Sequence, residues 1–233
     1  MTKRTGSNSL NAPALSAHTR KMSKDPRKST KRQEEIFEAI AKVMLNEHSG
    51  ILSLDEIAST MGASKGTIYY YFKTKGEMLY RMTVYISRAL GEAVVPILND
   101  KTIAPKKRLA KAIYTHMRVA ANNSQLVRAT WTDATMREMP ANLRMVVTRT
   151  RHNYEREFIK LIREILEAEN WSCGSVKIAM RMIFGIINSA TMWYRDDGEL
   201  SGEEISDYIV RCVFGGIFYK ENGHTSAGED STI

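Results

Sequence analysis

A run of fourteen residues near the N-terminus carries the side chains with the clearest chemical potential. The run Gly62–Lys75, GASKGTIYYYFKTK, holds three consecutive tyrosines and three lysines but no acidic residue. Hydroxyl and ammonium groups donate hydrogen bonds to phosphate oxygens, and lysine adds positive charge. The pattern therefore favours binding to a phosphate-rich polyanion. The alternative is a cluster of tyrosines that simply pack in the core.

Groups suited to catalysis or metal binding do not occur at usable spacing. The five histidines are scattered, and the sequence has neither a Ser/His/Asp set nor a glycine-rich phosphate loop. Asp196 and Asp197, followed by Gly198, are typical of a turn before a capped helix. Cys173 and Cys212 are too few for a disulfide framework, so we interpret them as reduced thiols. We expect no metal and no organic cofactor, and an enzyme stands only as a rival hypothesis.

The net charge of +8 is concentrated in an N-terminal arm. Residues 1–28 hold seven lysines and arginines against one acid, whereas residues 29–82 hold seven of each sign. The arm has little apolar content, and we expect it to be disordered, like the tail 221–233. The N-terminus lacks the apolar region of a signal peptide, and Met180–Tyr194 falls short of the roughly 18 apolar residues of a membrane span. We expect a cytoplasmic protein whose basic arm lies beside a basic patch.

Helical periodicity and capping signals place two helices before the tyrosine-rich run. Apolar residues spaced by three and four predict a first helix from about Thr30 to His48. Ser53 and Glu56 form a capping box that begins a second, short helix. Gly62 ends that helix, because glycine tolerates the positive φ angle of a helix terminus.

A short third helix, about Lys65 to Phe72, then carries the tyrosines. Ser64 is its N-cap, and Ile68 and Phe72 lie on one face, four residues apart. The lysine, threonine and tyrosine side chains cannot all be buried behind these two, so we expect an exposed polar face, and Gly66 allows the backbone to approach a partner closely. Two short helices joined by a glycine-containing turn are typical of a helix-turn-helix unit.

The run LSLDEIASTMGASKGTIYYYFKTKGEML resembles the DNA-binding signature of the TetR family of bacterial transcriptional regulators, over about residues 31–82. The resemblance implies an all-helical homodimer with a DNA-binding head, residues 29–80, and a ligand-binding and dimerising body, residues 81–220. The third helix of the head would enter the major groove of an operator. The residues implied to contact double-stranded DNA are Ser53, Ser64, Lys65, Gly66, Thr67, Tyr69, Tyr70, Tyr71 and Lys75. Gly76 departs from the family pattern, which often has glutamate there, and we expect it to loosen the start of the fourth helix.

The body is predicted to consist of a few long helices. A fourth helix begins near Lys75 and is expected to end at Pro96. Helical stretches follow over about 105–134, 141–169, 175–194 and 201–220. The last two are apolar on more than one face, so each must bury a second face. A four-helix dimer interface, two helices from each subunit, would meet this need, and the alternative is a monomer core that contains both helices.

An effector pocket is expected in the body, because thirteen methionines suit an adaptable apolar site. The alternative is that these methionines and aromatics are ordinary core. The stretch Trp193–Ile217 resembles a TetR subgroup that includes regulators of acyl-CoA and steroid catabolism, which implies an acyl-CoA thioester or another amphipathic acid as the effector. Arg128, Arg181 or Arg195 would then meet its anionic group. The candidate ligand-binding residues are Met117, Arg128, Trp131, Met136, Met180, Phe184, Trp193 and Tyr194.

The expected function is therefore that of a homodimeric repressor that releases its operator when a small molecule binds the body. A rival within DNA binding is a non-specific DNA-coating protein that uses the same head and arm.

Overall fold

The computed structural model describes residues 26–46, 53–195 and 198–217, and the chain is all-α, as predicted. The helices of this part of the chain are α1 (Pro26–Asn46), α2 (Leu54–Thr60), α3 (Lys65–Tyr71), α4 (Lys75–Asn99), α5 (Pro105–Asn122), α6 (Ser124–Thr130), α7 (Asp133–Glu138), α8 (Ala141–Glu169), α9 (Val176–Trp193) and α10 (Gly202–Cys212), and a π-helical segment, Val213–Ile217, continues α10.

The first three helices form a small head around buried aromatic and aliphatic side chains. Phe37 of α1 stacks on Phe72 with ring centroids 6.0 Å apart, and both are fully buried together with Ile68. The predicted capping box is confirmed, because Ser53 Oγ accepts a hydrogen bond from the Glu56 amide at 3.2 Å. Gly62 has a φ of 62°, which confirms its predicted role in ending α2.

Helix α4 connects the head to the body through one continuous core. Leu79 and Met82 of α4 are buried in the same cluster as Phe72 of the head. The cluster continues into the body at Leu126 of α6 and Val147 of α8. Because close-packed side chains transmit displacements, a shift of α6 or α8 has a direct path to the head.

A second apolar cluster holds the body together. Phe158 and Ile162 of α8 are fully buried against Ile183 and Ile187 of α9, and Ile209 of α10 completes the cluster. Arg108 of α5 is also buried, although it carries a charge. Its guanidinium donates to the carbonyl oxygens of Leu98 and Ile103 at 2.9 and 3.0 Å and pairs with Glu164, so the buried charge has partners.

Two helix boundaries differ from the predictions. Helix α1 begins at Pro26, not near Thr30, and proline suits a first helical position because its fixed φ is already helical. Helix α4 continues through Pro96 to Asn99, so the predicted end was wrong. Val94 and Leu98 on either side of the proline are both buried, and this packing holds the last turn in place despite the missing amide.

The predicted stretch 105–134 is divided into three helices. Asn123 separates α5 from α6, and Thr132 begins α7 by accepting a hydrogen bond from the Thr135 amide at 3.0 Å. Residues 1–25, most of the predicted arm, lie outside the described residues. So do the tail 221–233 and the pair Asp196 and Asp197.

Candidate nucleic-acid interface and effector cavity

The outer face of α3 presents polar side chains to solvent. Lys65, Gly66 and Thr67 are exposed, and so are Tyr69 and Tyr70, at 42% and 66% of their accessible surface. Ile68, by contrast, is buried. This arrangement matches the predicted division of the helix into an inner and an outer face. Tyr71 is half-buried and packs against the head core, so it contributes less surface than its two neighbours.

The hydroxyls expected to meet phosphate also hold the helix ends in place. Ser64 Oγ accepts a hydrogen bond from the Thr67 amide at 3.1 Å and lies 2.8 Å from the Thr67 hydroxyl. Ser53 is held in the same way at the start of α2, and both serines are exposed. A hydroxyl that accepts from the backbone keeps its own hydrogen, so Ser64 can donate to a phosphate oxygen when the Thr67 hydroxyl donates to Ser64, and Ser53 can do so by exchanging its hydrogen bond to the Glu56 carboxylate.

Lys65 is held by a carboxylate in the absence of a polyanion. Its Nζ donates to Asp55 Oδ2 at 2.8 Å. This hydrogen bond lowers the pKa of Asp55 and raises the pKa of Lys65, so both groups stay charged. A phosphate or a base edge would exchange with Asp55 for the same ammonium group.

Lys75 lies at the joint between the head and the body. Its side chain is largely buried, and Nζ is 3.8 Å from Glu138 Oε2 of α7. Burial lowers the pKa of Lys75, while the charge of Glu138 opposes that shift. A phosphate contact from Lys75 would therefore require the ammonium group to leave Glu138.

Gly76 packs against the turn Glu138–Pro140, which follows α7. A Cβ atom at this position would lie 2.6 Å from Pro140 Cδ and 2.9 Å from the Glu138 carbonyl oxygen. Helix α4 still begins regularly at Lys75, with Thr74 as its cap. Glycine is therefore required here by the close approach of two elements, which the sequence pattern did not predict.

A cavity of about 320 Å³ opens between α4, α6, α8 and α9. Its walls combine apolar and aromatic side chains with several hydroxyls and one charged edge. The lining residues are Thr83, Ser87, Leu90, Val127, Trp131, Val147, Thr150, Arg151, Tyr154, Glu155, Phe184, Asn188, Ser189 and Met192. A concave, mostly apolar site with a few polar groups is typical of small-molecule binding.

Two of the ligand-binding candidates from the sequence, Trp131 and Phe184, converge on this cavity. Met117 and Met180 are buried in the body core and Trp193 is exposed, and none of these three lines the cavity. Arg128, Met136 and Tyr194 are half-buried and are not part of its wall either.

The cavity also contains residues that the sequence reasoning missed. Arg151, Tyr154 and Glu155 lie on one face of α8, at spacings of three and four, together with Val147. The periodicity alone identifies this face as partly polar. Only the packing of α8 against α4 and α9 indicates that it faces a cavity.

One face of α9 is apolar and exposed within the single chain. Ile178 and Met182 expose 59% and 52% of their surface, and Trp193 at the end of the helix is also exposed. Gly185, on the same face, has open space around it. This is the second apolar face that the sequence predicted for α9.

Within the residues that the structure describes, there is no group of three or more metal-ligating side chains. In the same part of the chain, none of the helices is both long and apolar enough to cross a membrane.

Two family models match the sequence. Residues 45–82 match the model described as bacterial regulatory proteins, tetR family, and residues 102–217 match the tetracyclin repressor-like C-terminal domain. The two matches together cover about two thirds of the chain.

Similar proteins are known in several bacteria. The chain is 25% identical to the fatty acid metabolism regulator protein of Bacillus subtilis (strain 168) over 188 residues, which are 80% of this chain and 95% of the relative. Its fold is similar to that of the TetR-family regulator PfmR from Thermus thermophilus, at 22% identity and a TM-score of 0.70, over 78% of this chain and 98% of that chain. It is also similar to the ketosteroid regulator KstR2 of Mycobacterium tuberculosis, at 19% identity and a TM-score of 0.71, over 81% and 96% of the two chains.

Proposed function

This chain belongs to the TetR family of bacterial transcriptional regulators, and from that premise we propose that it is a ligand-responsive repressor that binds its operator as a homodimer. The observation that carries the proposal is the outer face of α3, where lysine, threonine and tyrosine are exposed while Ile68 anchors the helix in the head.

In the complex, α3 lies in the major groove of the operator. Lys65, Gly66 and Thr67 are closest to base edges, and Tyr69 and Tyr70 contact phosphates and thymine methyl groups. Ser53 and Ser64 donate to the backbone on either side, and Tyr71 stays mainly with the head core. Lys75 reaches a phosphate only after it releases Glu138, so operator binding is linked to the position of α7.

The homodimer forms through the exposed face of α9 together with α10. The apolar residues Ile178 and Met182 support this assignment, because in the single chain they remain in contact with water. Gly185 lets the two copies of α9 approach closely. The dimer places the two α3 helices about one turn of DNA apart, ~34–36 Å, so that they read successive major grooves of a palindrome.

The effector binds in the cavity between α4, α6, α8 and α9. We propose an acyl-CoA or another amphipathic molecule, a class supported by the similarity to a fatty acid metabolism regulator and to a ketosteroid regulator. A volume of about 320 Å³ is at the low end of the roughly 300–1,000 Å³ typical of small-molecule sites. It therefore takes the apolar part of the molecule, and a charged part remains at the Arg151 edge.

Effector binding weakens operator binding only to the extent that the effector prefers a dimer whose heads are wrongly spaced. A coupling of about 1–3 kcal/mol per site is the usual scale. The cavity wall at Trp131 and the Glu138–Pro140 turn are connected by α7, so an effector that displaces Trp131 also displaces the turn that holds Lys75 and Gly76.

The test is a titration of DNA selected from a random-sequence library by the full-length protein. Lys65→Ala should weaken binding to the selected sequence about 5- to 150-fold, because one base or phosphate contact of this kind contributes about 1–3 kcal/mol. The matched control is Lys111→Ala, which removes an exposed lysine of the body and should bind as the wild type does.

Two results would count against the proposal. Equal affinity of the Lys65→Ala and wild-type proteins would remove α3 from the interface. Failure of the selection to enrich any sequence, with equal competition by random DNA, would favour the rival hypothesis of a non-specific DNA-coating protein.

A further inference from the structure

A buried histidine lies directly behind the aromatic wall of the cavity. His116 of α5 is fully buried, and its ring centroid is 6.4 Å from Trp131, 5.8 Å from Tyr154 and 5.7 Å from Phe184. All three of these aromatic residues line the cavity. The imidazole is therefore the polar group behind an otherwise apolar surface.

His116 has one hydrogen-bond partner among the described residues. Its Nδ1 is 3.0 Å from the Tyr154 hydroxyl, whereas Nε2 is buried and has no partner there. Burial lowers the pKa of His116 to about 4, so the ring is neutral at pH 7 and carries one proton. Burial also raises the pKa of Tyr154, so the phenol keeps its proton.

Counting protons shows that this pair has one donor too many. If Tyr154 donates to Nδ1, the imidazole proton is on Nε2, where it has no acceptor. If Nδ1 donates to Tyr154, the phenolic proton is left without one. In either tautomer one buried N–H or O–H lacks an acceptor, which is costly unless a ligand or a water supplies it.

Three of the four other hydroxyls that line the cavity are already engaged, and the fourth, that of Ser189, is exposed. Thr83, Ser87 and Thr150 each donate to a backbone carbonyl four residues earlier in their own helix, at 2.8, 2.8 and 2.9 Å. Their hydrogens are used, so they offer only acceptor lone pairs to a ligand. Asn188 Oδ1, a further group of the wall, is buried without a partner among the described residues and is also an acceptor.

The ligand oxygen that fits this donor is uncharged. The pair supplies a single uncharged donor beside the aromatic rings of Trp131 and Phe184, and a carboxylate at that point would lose its hydration for one donor. A ketone or thioester carbonyl loses much less hydration and accepts the same hydrogen bond. The apolar walls formed by Leu90, Val127 and Val147 suit the hydrocarbon part of such a molecule.

From these contacts we propose that the His116–Tyr154 pair is the specificity element of the effector cavity and selects an apolar molecule by an uncharged carbonyl oxygen. This inference rests on the proposed function, in that it assumes that the cavity is the effector site. Tyr154 donates to the oxygen in the tautomer in which His116 carries its proton on Nδ1 and donates it to the Tyr154 hydroxyl oxygen, so His116 acts through Tyr154 by orienting its hydroxyl.

The experiment compares four probes of similar length with the full-length protein by calorimetry: decane, methyl octyl ketone, S-methyl nonanethioate and decanoate. At least one of the two carbonyl probes, the ketone or the thioester, should bind about five- to tenfold more tightly than decane. A difference of this size is the effect of one neutral hydrogen bond. The ketone and thioester arms distinguish the two sources of the carbonyl. The infrared carbonyl band of the bound probe should move to lower frequency.

Two variants on α8 sharpen the comparison. Tyr154→Phe should bring the ratio of carbonyl to alkane affinity close to one and remove the infrared shift. Thr150→Val, one turn earlier on the same helix, removes a hydroxyl that already donates to Val146 and should keep the ratio. The comparison of probes on the wild-type protein stands even if a variant does not fold.

The inference is overturned if decane and the carbonyl probes bind the wild type equally, or if decanoate binds best and loses its advantage in Tyr154→Phe. If none of the four probes binds, both this inference and the assignment of the cavity as the effector site are overturned. DNA binding, measured separately by the selection titration, would be unaffected by that result.

Discussion

The joint between head and body gives a sharp test, because two glycines of α4 should respond to the same substitution with opposite signs. A Cβ atom at Gly76 would lie 2.6 Å from Pro140 Cδ and 2.9 Å from the Glu138 carbonyl oxygen. A Cβ atom at Gly91 would have no neighbour within 4 Å. Carbon atoms prefer separations of about 3.5–4.0 Å, so Gly76→Ala must displace the turn by about 1 Å.

The magnitudes follow from the two environments. Alanine in a helix interior is more favourable than glycine by roughly 0.5–1 kcal/mol, and Gly91→Ala should gain this amount. Gly76→Ala has the same gain but also an overpacking cost of about 1–3 kcal/mol against a proline ring and a backbone oxygen. We expect Gly76→Ala to be less stable than the wild type by about 1 kcal/mol, and less stable than Gly91→Ala by about 2 kcal/mol.

Urea unfolding followed by circular dichroism measures both differences, at one protein concentration because the stability of the proposed dimer would depend on concentration. In thermal unfolding the gap between the variants should be several degrees, since 1 kcal/mol shifts the Tm of a chain this size by roughly 2–4 °C. A Gly76→Ala protein as stable as Gly91→Ala would refute the packing of α4 on the Glu138–Pro140 turn.

Three further predictions test other parts of the structure. Burial lowers the pKa of His116 to about 4 in the folded chain, against 6.5 in the unfolded chain, so the unfolded chain binds more protons between these pH values and stability falls as the pH falls. From pH 7 to pH 5 the free energy of unfolding of the wild type should therefore fall by about 2 kcal/mol more than that of His116→Gln, in which the carboxylates titrate alike. Met182→Glu should convert the proposed dimer to a monomer in sedimentation equilibrium, and an unchanged dimer would exclude this face of α9. Ser53→Ala should lower the free energy of unfolding by about 1 kcal/mol through loss of the α2 cap, and an unchanged midpoint in urea would show that the cap is dispensable.

The sequence predicted the head well because its signals are local. Ser53 with Glu56, the positive φ of Gly62 and the spacing of Ile68 and Phe72 depend on residues no more than a few positions apart. Each signal fixes one turn or one face, and together they leave little choice for the backbone.

The body was less predictable because its packing depends on distant partners. Pro96 does not end α4, since Val94 and Leu98 are anchored by other helices. Met117, Met180 and Phe184 are all large apolar residues of a kind that can line a pocket. In the structure Met117 and Met180 lie in the core, whereas Phe184 lines the cavity. Periodicity identifies the apolar face of a helix, not the neighbour that covers it.

Gly76 illustrates the same limit at the joint. The sequence suggested a loosened helix start, whereas the structure brings Pro140, sixty-four positions away, against its Cα. The His116–Tyr154 bond likewise joins α5 to α8 across thirty-eight positions, and neither residue carries a local pattern that would predict it.

The central claim is that the exposed face of α3 reads a DNA sequence. Sequencing the genomic fragments that the full-length protein retains tests it most directly, with Thr67→Ala measured in parallel. The account predicts that the wild type retains a small set of fragments sharing an inverted repeat, and that Thr67→Ala loses or alters this set. Recovery of fragments in proportion to their abundance, or the same set from both proteins, would contradict it.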